Sequence, residues 1–570
     1  MSKWMEIRKG GDFEKTASDF NISPVIARLI RNRDIVSKQE TEEYLKGDLQ
    51  HLLIPSLMKD IEKAAGILLQ KIRQNKKIRI IGDYDIDGVC SAFLLKQVIR
   101  DCGGSVDSTL PHRMKDGYGL NQNLIIDAQN DGIDTIITCD NGISAIEPIA
   151  YAKELGMTVI ITDHHDIPFQ DSLEKREYLL PNADAIVNPK QEDCPYPFKG
   201  LCGAGVVFKL MQILYQKVSM EGREREYLDI VAFATIGDVM ELRGENRILV
   251  KLGLKQLLHT KNIGMKALIK ACGLEEKSVM TPYYVGFILG PCLNATGRLE
   301  SAMKALALLE EEEEKQAGIL ALELKLINDQ RKKMTEEYLS KAIAIVDSGI
   351  YDNDKVLVVY LKDCHESLAG IIAGRLRERY QKPVFVLTNG EESVKGSGRS
   401  IEAYSMYEEM TKCKDLFLRF GGHKMAAGLS IAEENVEQFR QQLNMNAALT
   451  EDDLQEKVMI DMALPFSMVT ESLIEEFSLL EPCGTGNRRA LFATRGVTFE
   501  QGKTVGRNGN VYRCMVKDQS GRNFEGIYFG NIGEFRDYIS KKSMVNITFY
   551  PEINEYLNKR TIQITIQKYQ

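Results

Sequence analysis

The sequence predicts an α/β protein built from a parallel-sheet domain, a long connecting helix, a smaller α/β unit and a C-terminal β barrel. Three observations carry that class. Four short apolar runs, IRII (78–81), DTIIT (134–138), TVIIT (158–162) and AIVN (185–188), alternate with helix-like stretches, as strands of a parallel sheet covered on both faces do. Residues 301–347 contain no proline. The tail then alternates β-type runs (VYRCMV, FEGIYFG, MVNITFY, RTIQITIQKY) with Gly/Asn turns, the mark of a small barrel. A chain of 570 residues also exceeds what one hydrophobic core serves.

Taken in order, residues 1–55 form a mostly polar, helical accessory segment in which Ser37 caps a helix and Glu40 stands three residues on. Residues 56–300 hold the parallel sheet and 301–347 the connecting helix. Its apolar stripe is Leu320, Leu324, Ile327, Met334, Tyr338 and Ile345, and the run Glu310 to Glu314 reads as a solvated face. The second α/β unit spans 348–448, with KVLVVY, PVFVL and SVKGSGRS as its landmarks. An acidic, partly helical linker opens the last division, 449–570, and the barrel completes it.

Composition narrows the class. With 44% hydrophobic and 27% charged residues the chain is ordinary globular protein. No window approaches the roughly 18–20 continuous apolar residues of a spanning helix, so no membrane is expected. Eleven cysteines without a C-x-x-C pair argue against a zinc ribbon and for reduced thiols, hence the cytoplasm. The net charge is −8, yet from Arg488 onward 14 Lys and Arg face 7 Asp and Glu. A basic domain is thus carried on an acidic chain.

The chemistry gathers at strand ends. In open parallel sheets ligands collect at the carboxyl ends of the strands. The first run ends at Asp83, Asp85 and Asp87, the second at Asp140, and the third at Asp163, His164 and His165; Asp238 closes the apolar stretch YLDIVAFATIGD. Carboxylates crowded together repel one another unless a cation neutralises them. Asp/His donors without cysteine favour Mn²⁺ or Mg²⁺. Gly88 suits a tight turn into the following helix. Asp163 reads equally as a ligand or as the partner that fixes a neighbouring imidazole.

GDYDIDG (82–88), Asp140 in CDNGIS, DHH (163–165) and Asp238 in TIGDVM resemble, in order and spacing, the four motifs of the DHH phosphoesterases. Within them the chain is similar to the RecJ single-stranded-DNA exonucleases, through PHRMKDGYGLN, LCGAGVVFKL, LNATGRL, GSGRS, FGGHKMAAG and EPCGTGN. The tripeptide DHH occurs by chance; the ordered set does not. DCHESLAGIIAGRL departs from the family pattern, with Cys364 where tryptophan is usual and Glu366-Ser367 in place of proline-glycine.

The resemblance implies a DHH domain, a DHHA1 domain and an OB-type barrel, and two-metal-ion hydrolysis of single-stranded DNA from a 5′ end. Asp83, Asp85, Asp87, Asp140, His164 and Asp238 are then the metal ligands, with Asp140 as bridge. His165 meets the scissile phosphate or the leaving group, although the residues alone leave open which imidazole takes which role. Arg298, Arg399 and Ser397 are candidates for the terminal 5′-phosphate, Arg113 for the adjacent backbone, and His365 and His423 for contacts from the second lobe. Lys503, Arg507, Arg513 and Lys517, interleaved with Tyr512, Phe524, Tyr528 and Phe529, are expected to line a basic stacking groove, about half of the rings being core. A single-strand-binding protein and a helicase are partners the resemblance raises. Competing readings are a phosphodiesterase of short oligonucleotides or cyclic dinucleotides, and a non-catalytic DNA-binding scaffold.

Overall fold

The computed structural model describes residues 2–570 except 114, 115, 118, 172–175, 507, 508, 557 and 558; Arg507 therefore lies outside the described residues. Five parallel strands form the first sheet: β1 (Lys77–Ile81), β2 (Ser105–Thr109), β3 (Thr135–Cys139), β4 (Thr158–Thr162) and β5 (Ala185–Val187), in the order β2-β1-β3-β4-β5. Register pairs Ile81 with Thr138 and Cys139 with Thr162. The carboxyl ends of β1, β3 and β4 therefore share one rim. β3 is buried along its whole length, which explains its unbroken apolar sequence.

Helices cover both faces. α1 (Ile86–Asp101), α2 (Gly203–Lys217) and α3 (Leu228–Gly237) pack in the larger core on one side, and a second cluster around Ile125, Ile136 and Ile161 fills the other. α4 (Gly290–Leu299) follows a π-helical turn, Val285–Leu289. The stretch 301–347 is not one helix. A short helix, Met303–Glu310, stops at the glutamate run, and α5 (Glu314–Ile345) starts after it. Glu310 is no solvated residue either, since it pairs with Lys96 at 2.7 Å.

The second lobe is a mixed sheet of β6 (Leu357–Tyr360), β7 (Val384–Asn389), β8 (Val394–Arg399), β9 (Phe417–Gly422) and β10 (Ala426–Ile431), ordered β9-β10-β8-β7-β6. α6 (Glu366–Tyr380) packs on β7 and β8. The last lobe closes as a five-stranded barrel. Its strands are β11 (Phe492–Val505), β12 (Val511–Lys517), β13 (Asn523–Phe529), β14 (Val545–Tyr556) and β15 (Lys559–Tyr569), and β11 pairs with both β12 and β14. Val25, Ile26, Leu29 and Ile30 of the N-terminal segment share the barrel's core, so the two ends of the chain fold together. Ser37 and Glu40 complete the expected capping box. Among the described residues no helix is long and apolar enough to cross a membrane.

Candidate active site

Asp83, Asp85 and Asp87 leave β1 in three different environments. Asp85 caps α1, its Oδ1 accepting from the N–H groups of Asp87 (3.0 Å) and Gly88 (3.1 Å). Asp87 is fully buried and accepts from the first N–H groups of α2, Gly203 at 2.6 Å and Ala204 at 2.9 Å. A helix N-terminus thus stabilises one carboxylate among several. Gly88 lies in the first turn of α1, where the chain turns into the helix as expected. It is needed because a Cβ there would lie 2.4 Å from the Asp83 carbonyl oxygen, so α1 presses directly on the loop that precedes it.

Asp140 follows β3 in the left-handed region (φ 59°), a strained conformation for a non-glycine residue and one that clusters at functional sites. His164 leaves β4, and Asp238 caps the C-terminus of α3. These groups converge. His164 Nε2 lies 3.0 Å from Asp140, 3.6 Å from Asp238 and 3.7 Å from Asp87. Two triads have donor atoms close enough to hold one ion each, Asp83/Asp85/Asp140 and Asp87/His164/Asp238; Asp140, His164 and His165 form a third grouping. Asp140 therefore stands between the two sites.

Electrostatics point the same way. Burial, then the charge of Asp85, pushes the Asp83 carboxyl up to about 8; burial and Asp87 do the same for Asp238. Burial raises Asp87, and burial with the charge of Asp87 raises Asp140 well above the carboxylate range. Burial lowers His164. Asp83 Oδ1, Asp140 Oδ1 and both ring nitrogens of His164 are buried without a hydrogen-bond partner among the described residues, a costly state for polar atoms. Hard oxygen donors and a neutral imidazole, aimed together and otherwise unsatisfied, fit Mn²⁺ or Mg²⁺.

Asp163 is not part of either ion triad. Its Oδ1 accepts from the backbone of His164 (2.7 Å), the backbone of His165 (3.1 Å) and His165 Nδ1 (2.8 Å), and its Oδ2 from Ile143 N (2.9 Å). Both oxygens are spent on orientation. Burial opposes ionisation of Asp163, but the hydrogen bond and charge of His165 outweigh it and hold the carboxyl below its usual range. His165 suffers the same burial, yet Asp163 carries its pKa up to about 9.

A second charged cluster lies where the lobes meet. Arg298, on α4, is deeply buried and donates to the carbonyl of Ser367 on α6 at 3.0 Å. Arg399, ending β8, donates to Ser397 Oγ (3.2 Å) and to the Gly398 carbonyl (2.7 Å). Burial and the charge of Arg113 lower both, Arg298 to about 10. Arg113 itself rests over the Tyr84 ring at 5.0 Å. Among the described residues none of these three guanidinium groups has a carboxylate within ion-pair distance. Gly370 of α6 makes room, since a Cβ there would lie 2.8 Å from Arg399 Nη2 and 2.9 Å from Ser397 Oγ. His365 caps α6 and bonds Ser367 Oγ at 2.7 Å. His423 is exposed on the β9–β10 hairpin, and its charge reaches Asp166, next to His165.

Family models match three parts of the chain: the DHH family N-terminal domain over 77–235, the DHHA1 domain over 353–448 and the RecJ OB domain over 460–568. The single-stranded-DNA-specific exonuclease RecJ of Bacillus subtilis (strain 168) is 34% identical over 99% of this chain and 70% of its own length. That of Escherichia coli (strain K12) is 32% identical over 99% of both chains. The chain belongs to the RecJ family. A crystal structure of RecJ in complex with Mn²⁺ from Thermus thermophilus matches with a TM-score of 0.84 at 26% identity, covering 100% of this chain and 79% of that one. The Mg²⁺ complex from the same organism gives 0.78 at 25% identity, covering 100% and 78%.

Several contributors to this RecJ-family site were not visible as chemistry in the sequence. The Gly203 and Ala204 amides are backbone donors. Asn294 of α4 accepts from Ile86 N at 2.9 Å, tying the aspartate loop to the helix that carries Arg298. Of the four rings expected on the barrel, Tyr512, Phe524 and Tyr528 are core, one more than the half expected, and Phe529, 58% exposed, faces outward. Period-two alternation puts Tyr512 on the inner face with Cys514 and Val516. Arg513 is neutralised by Glu525, while Lys503 and Lys517 are exposed.

Proposed function

We propose that this chain is a metal-dependent exonuclease that hydrolyses single-stranded DNA from a 5′-phosphorylated end. One observation carries the reading: two carboxylate-rich triads sharing one rim stand opposite a cluster of arginines that no carboxylate neutralises among the described residues. The first end suits divalent cations and the second a dianionic terminal phosphate, for which the planar guanidinium fork is the fitting donor.

Asp83, Asp85 and Asp140 would hold one ion and Asp87, His164 and Asp238 the other, with Asp140 between them. Bound there, Mn²⁺ or Mg²⁺ supplies a lowered water pKa and a counter-charge for the leaving oxygen. The protein orients the rest. Asp163 holds His165 by Nδ1, leaving the partly exposed ring to face the scissile phosphate. Arg298, Arg399 and Ser397 receive the terminal phosphate, Arg113 steadies the neighbouring backbone, and His365 and His423 bound the site from the second lobe.

All eleven cysteines are free thiols, which supports a cytoplasmic setting. A helicase that opens duplex and a single-strand-binding protein fit as partners, since the substrate strand must first be exposed. Time-resolved digestion of 5′- and 3′-labelled single strands with Mn²⁺ or Mg²⁺ tests the reading. Early release of the 5′ label is expected. Release of the 3′ label first, or equal rates on ends with and without phosphate, would contradict it. Comparing a dinucleotide with a long strand separates it from a dinucleotide phosphodiesterase.

A further inference from the structure

The barrel buries three of the four rings expected to stack on bases, yet other exposed aromatics stand elsewhere. Tyr283 and Phe287 are 60% and 65% exposed. One helical turn apart, their rings stack at 5.2 Å with an interplanar angle of 26°. They lie on the helical segment that runs through Val285–Leu289 into α4. A single exposed apolar residue is ordinary, whereas a paired aromatic face is a binding surface in want of a partner.

The position of this pair supplies the occupant. Gly290, at the next turn, packs on Ile86, which sits between Asp85 and Asp87; a Cβ on Gly290 would be 3.1 Å from Ile86 Cδ1. Gly286 faces Ile236, two residues before Asp238. The aromatic turn is thus bolted to the metal-binding rim on its inner side. On its outer side Tyr283 borders a cleft of about 520 Å³ against the barrel. The far wall carries Arg489, its guanidinium 4.4 Å from the Tyr550 ring centroid and paired with Glu552 at 2.7 Å. The segment carrying the pair therefore links the catalytic rim to the cleft against the barrel.

Resting on the nuclease reading above, we propose that Tyr283 and Phe287 form a stacking platform for bases of the substrate strand on its way between the barrel and the metal centre. Ring-on-base stacking is indifferent to sequence, as an exonuclease acting on strands of any sequence requires. The platform adds hold on long strands and none on fragments too short to reach it.

The test compares 5′-phosphorylated oligothymidylates of about three and about 20 nucleotides, in Mn²⁺, for the wild type and the double variant Tyr283→Ala/Phe287→Ala. Removing two stacking rings should raise KM for the long strand about tenfold with kcat little changed, and leave both constants for the short one as they were. Tyr283→Phe/Phe287→Tyr should restore the long-strand KM. An unchanged KM on the long strand, or equal losses on both lengths, overturns the platform while the nuclease reading stands. A wild type that leaves both strands intact overturns the nuclease reading and the platform with it. The two rings are largely exposed, so the variants are expected to fold, and an unchanged melting curve verifies that.

Discussion

Gly203→Ala perturbs the metal centre without removing any ligand. A Cβ at 203 would lie 2.8 Å from Asp140 Cβ, 3.0 Å from Asp87 Oδ2 and 3.1 Å from Asp140 Cα, where 3.4 Å is ordinary contact. The worst contact falls short by about 0.6 Å, and each neighbour is constrained. Asp87 is held by the Gly203 and Ala204 amides, and Asp140 already occupies the left-handed region. Relief has to come from displacement of α2 or of Asp140, which belongs to one triad and lies 3.0 Å from His164 of the other. A misplacement of about 1 Å costs on the order of a hundredfold in rate, so about 0.6 Å predicts a loss of roughly ten- to a hundredfold. Overpacking should cost about 1–3 kcal/mol of stability. Single-turnover hydrolysis of a 5′-labelled strand in saturating Mn²⁺ measures the chemical step, and filter binding of the same strand in Ca²⁺ measures DNA affinity. The rate should fall while affinity stays within about twofold. A variant with wild-type rate and wild-type Mn²⁺ dependence would refute the claim that α2 positions the two carboxylates.

Asp140→Asn and His164→Ala should each reduce hydrolysis by a factor on the order of 10² to 10³ or more, with single-strand binding retained; equal loss of binding would place these residues in DNA contact. Arg399→Gln should lower the preference for a 5′-phosphorylated over a 5′-hydroxyl end by about ten- to a hundredfold, the worth of a charged hydrogen bond; an unchanged ratio would remove Arg399 from the phosphate pocket. Mn²⁺ binding should release protons. Asp83 and Asp238 stand near 8 before an ion binds, so below pH 8 each must give up its proton. Affinity should therefore climb as pH rises from about 6 towards 8. Calorimetry in two buffers of different ionisation enthalpy checks this, and a buffer-independent heat would contradict it.

What the sequence revealed follows from cost. Seven ionisable residues placed behind apolar runs stand out because burying charge is expensive, and the structure brings Asp83, Asp85, Asp87, Asp140, His164, His165 and Asp238 to one rim. The parallel sheet was legible for a similar reason, since only strands covered on both faces tolerate runs such as TVIIT. Other contributors carried no such mark. The Gly203 and Ala204 amides belong to a helix start more than 100 residues from Asp87, and nothing in LCGAGVVF distinguishes an anion-holding helix from a packed one. Arg298 and Arg399 resemble surface arginines until α4 and β8 bury them together. Charge runs misled where the chain bends: Glu311 to Glu313 interrupt the helix that their propensity favours, and Glu310 turns back to Lys96.

The two ends of the site are opposite electrostatic problems coupled by one helix. Carboxylates crowd at the metal end and raise one another; guanidinium groups crowd at the phosphate end, where Arg113 lowers Arg298 and Arg399. Each cluster also feels the other, secondarily to its own burial: Arg113 lowers Asp83, and Asp85 raises Arg298. α4 keeps them apart in register: Asn294 holds Ile86 of the aspartate loop, and Arg298, four residues on, stands about 6 Å further along the helix axis. A substrate end bearing both a terminal phosphate and an ion-bound diester satisfies the two clusters at once. A free phosphate or a metal ion alone satisfies only one. If the arginine cluster receives the terminal phosphate as proposed, discrimination of strand end from strand interior follows from the spacing that α4 imposes. A substitution that loosens this tie, such as Asn294→Ala, should weaken end selection and slow cleavage together, each by about tenfold, whereas Arg399→Gln affects chiefly the first.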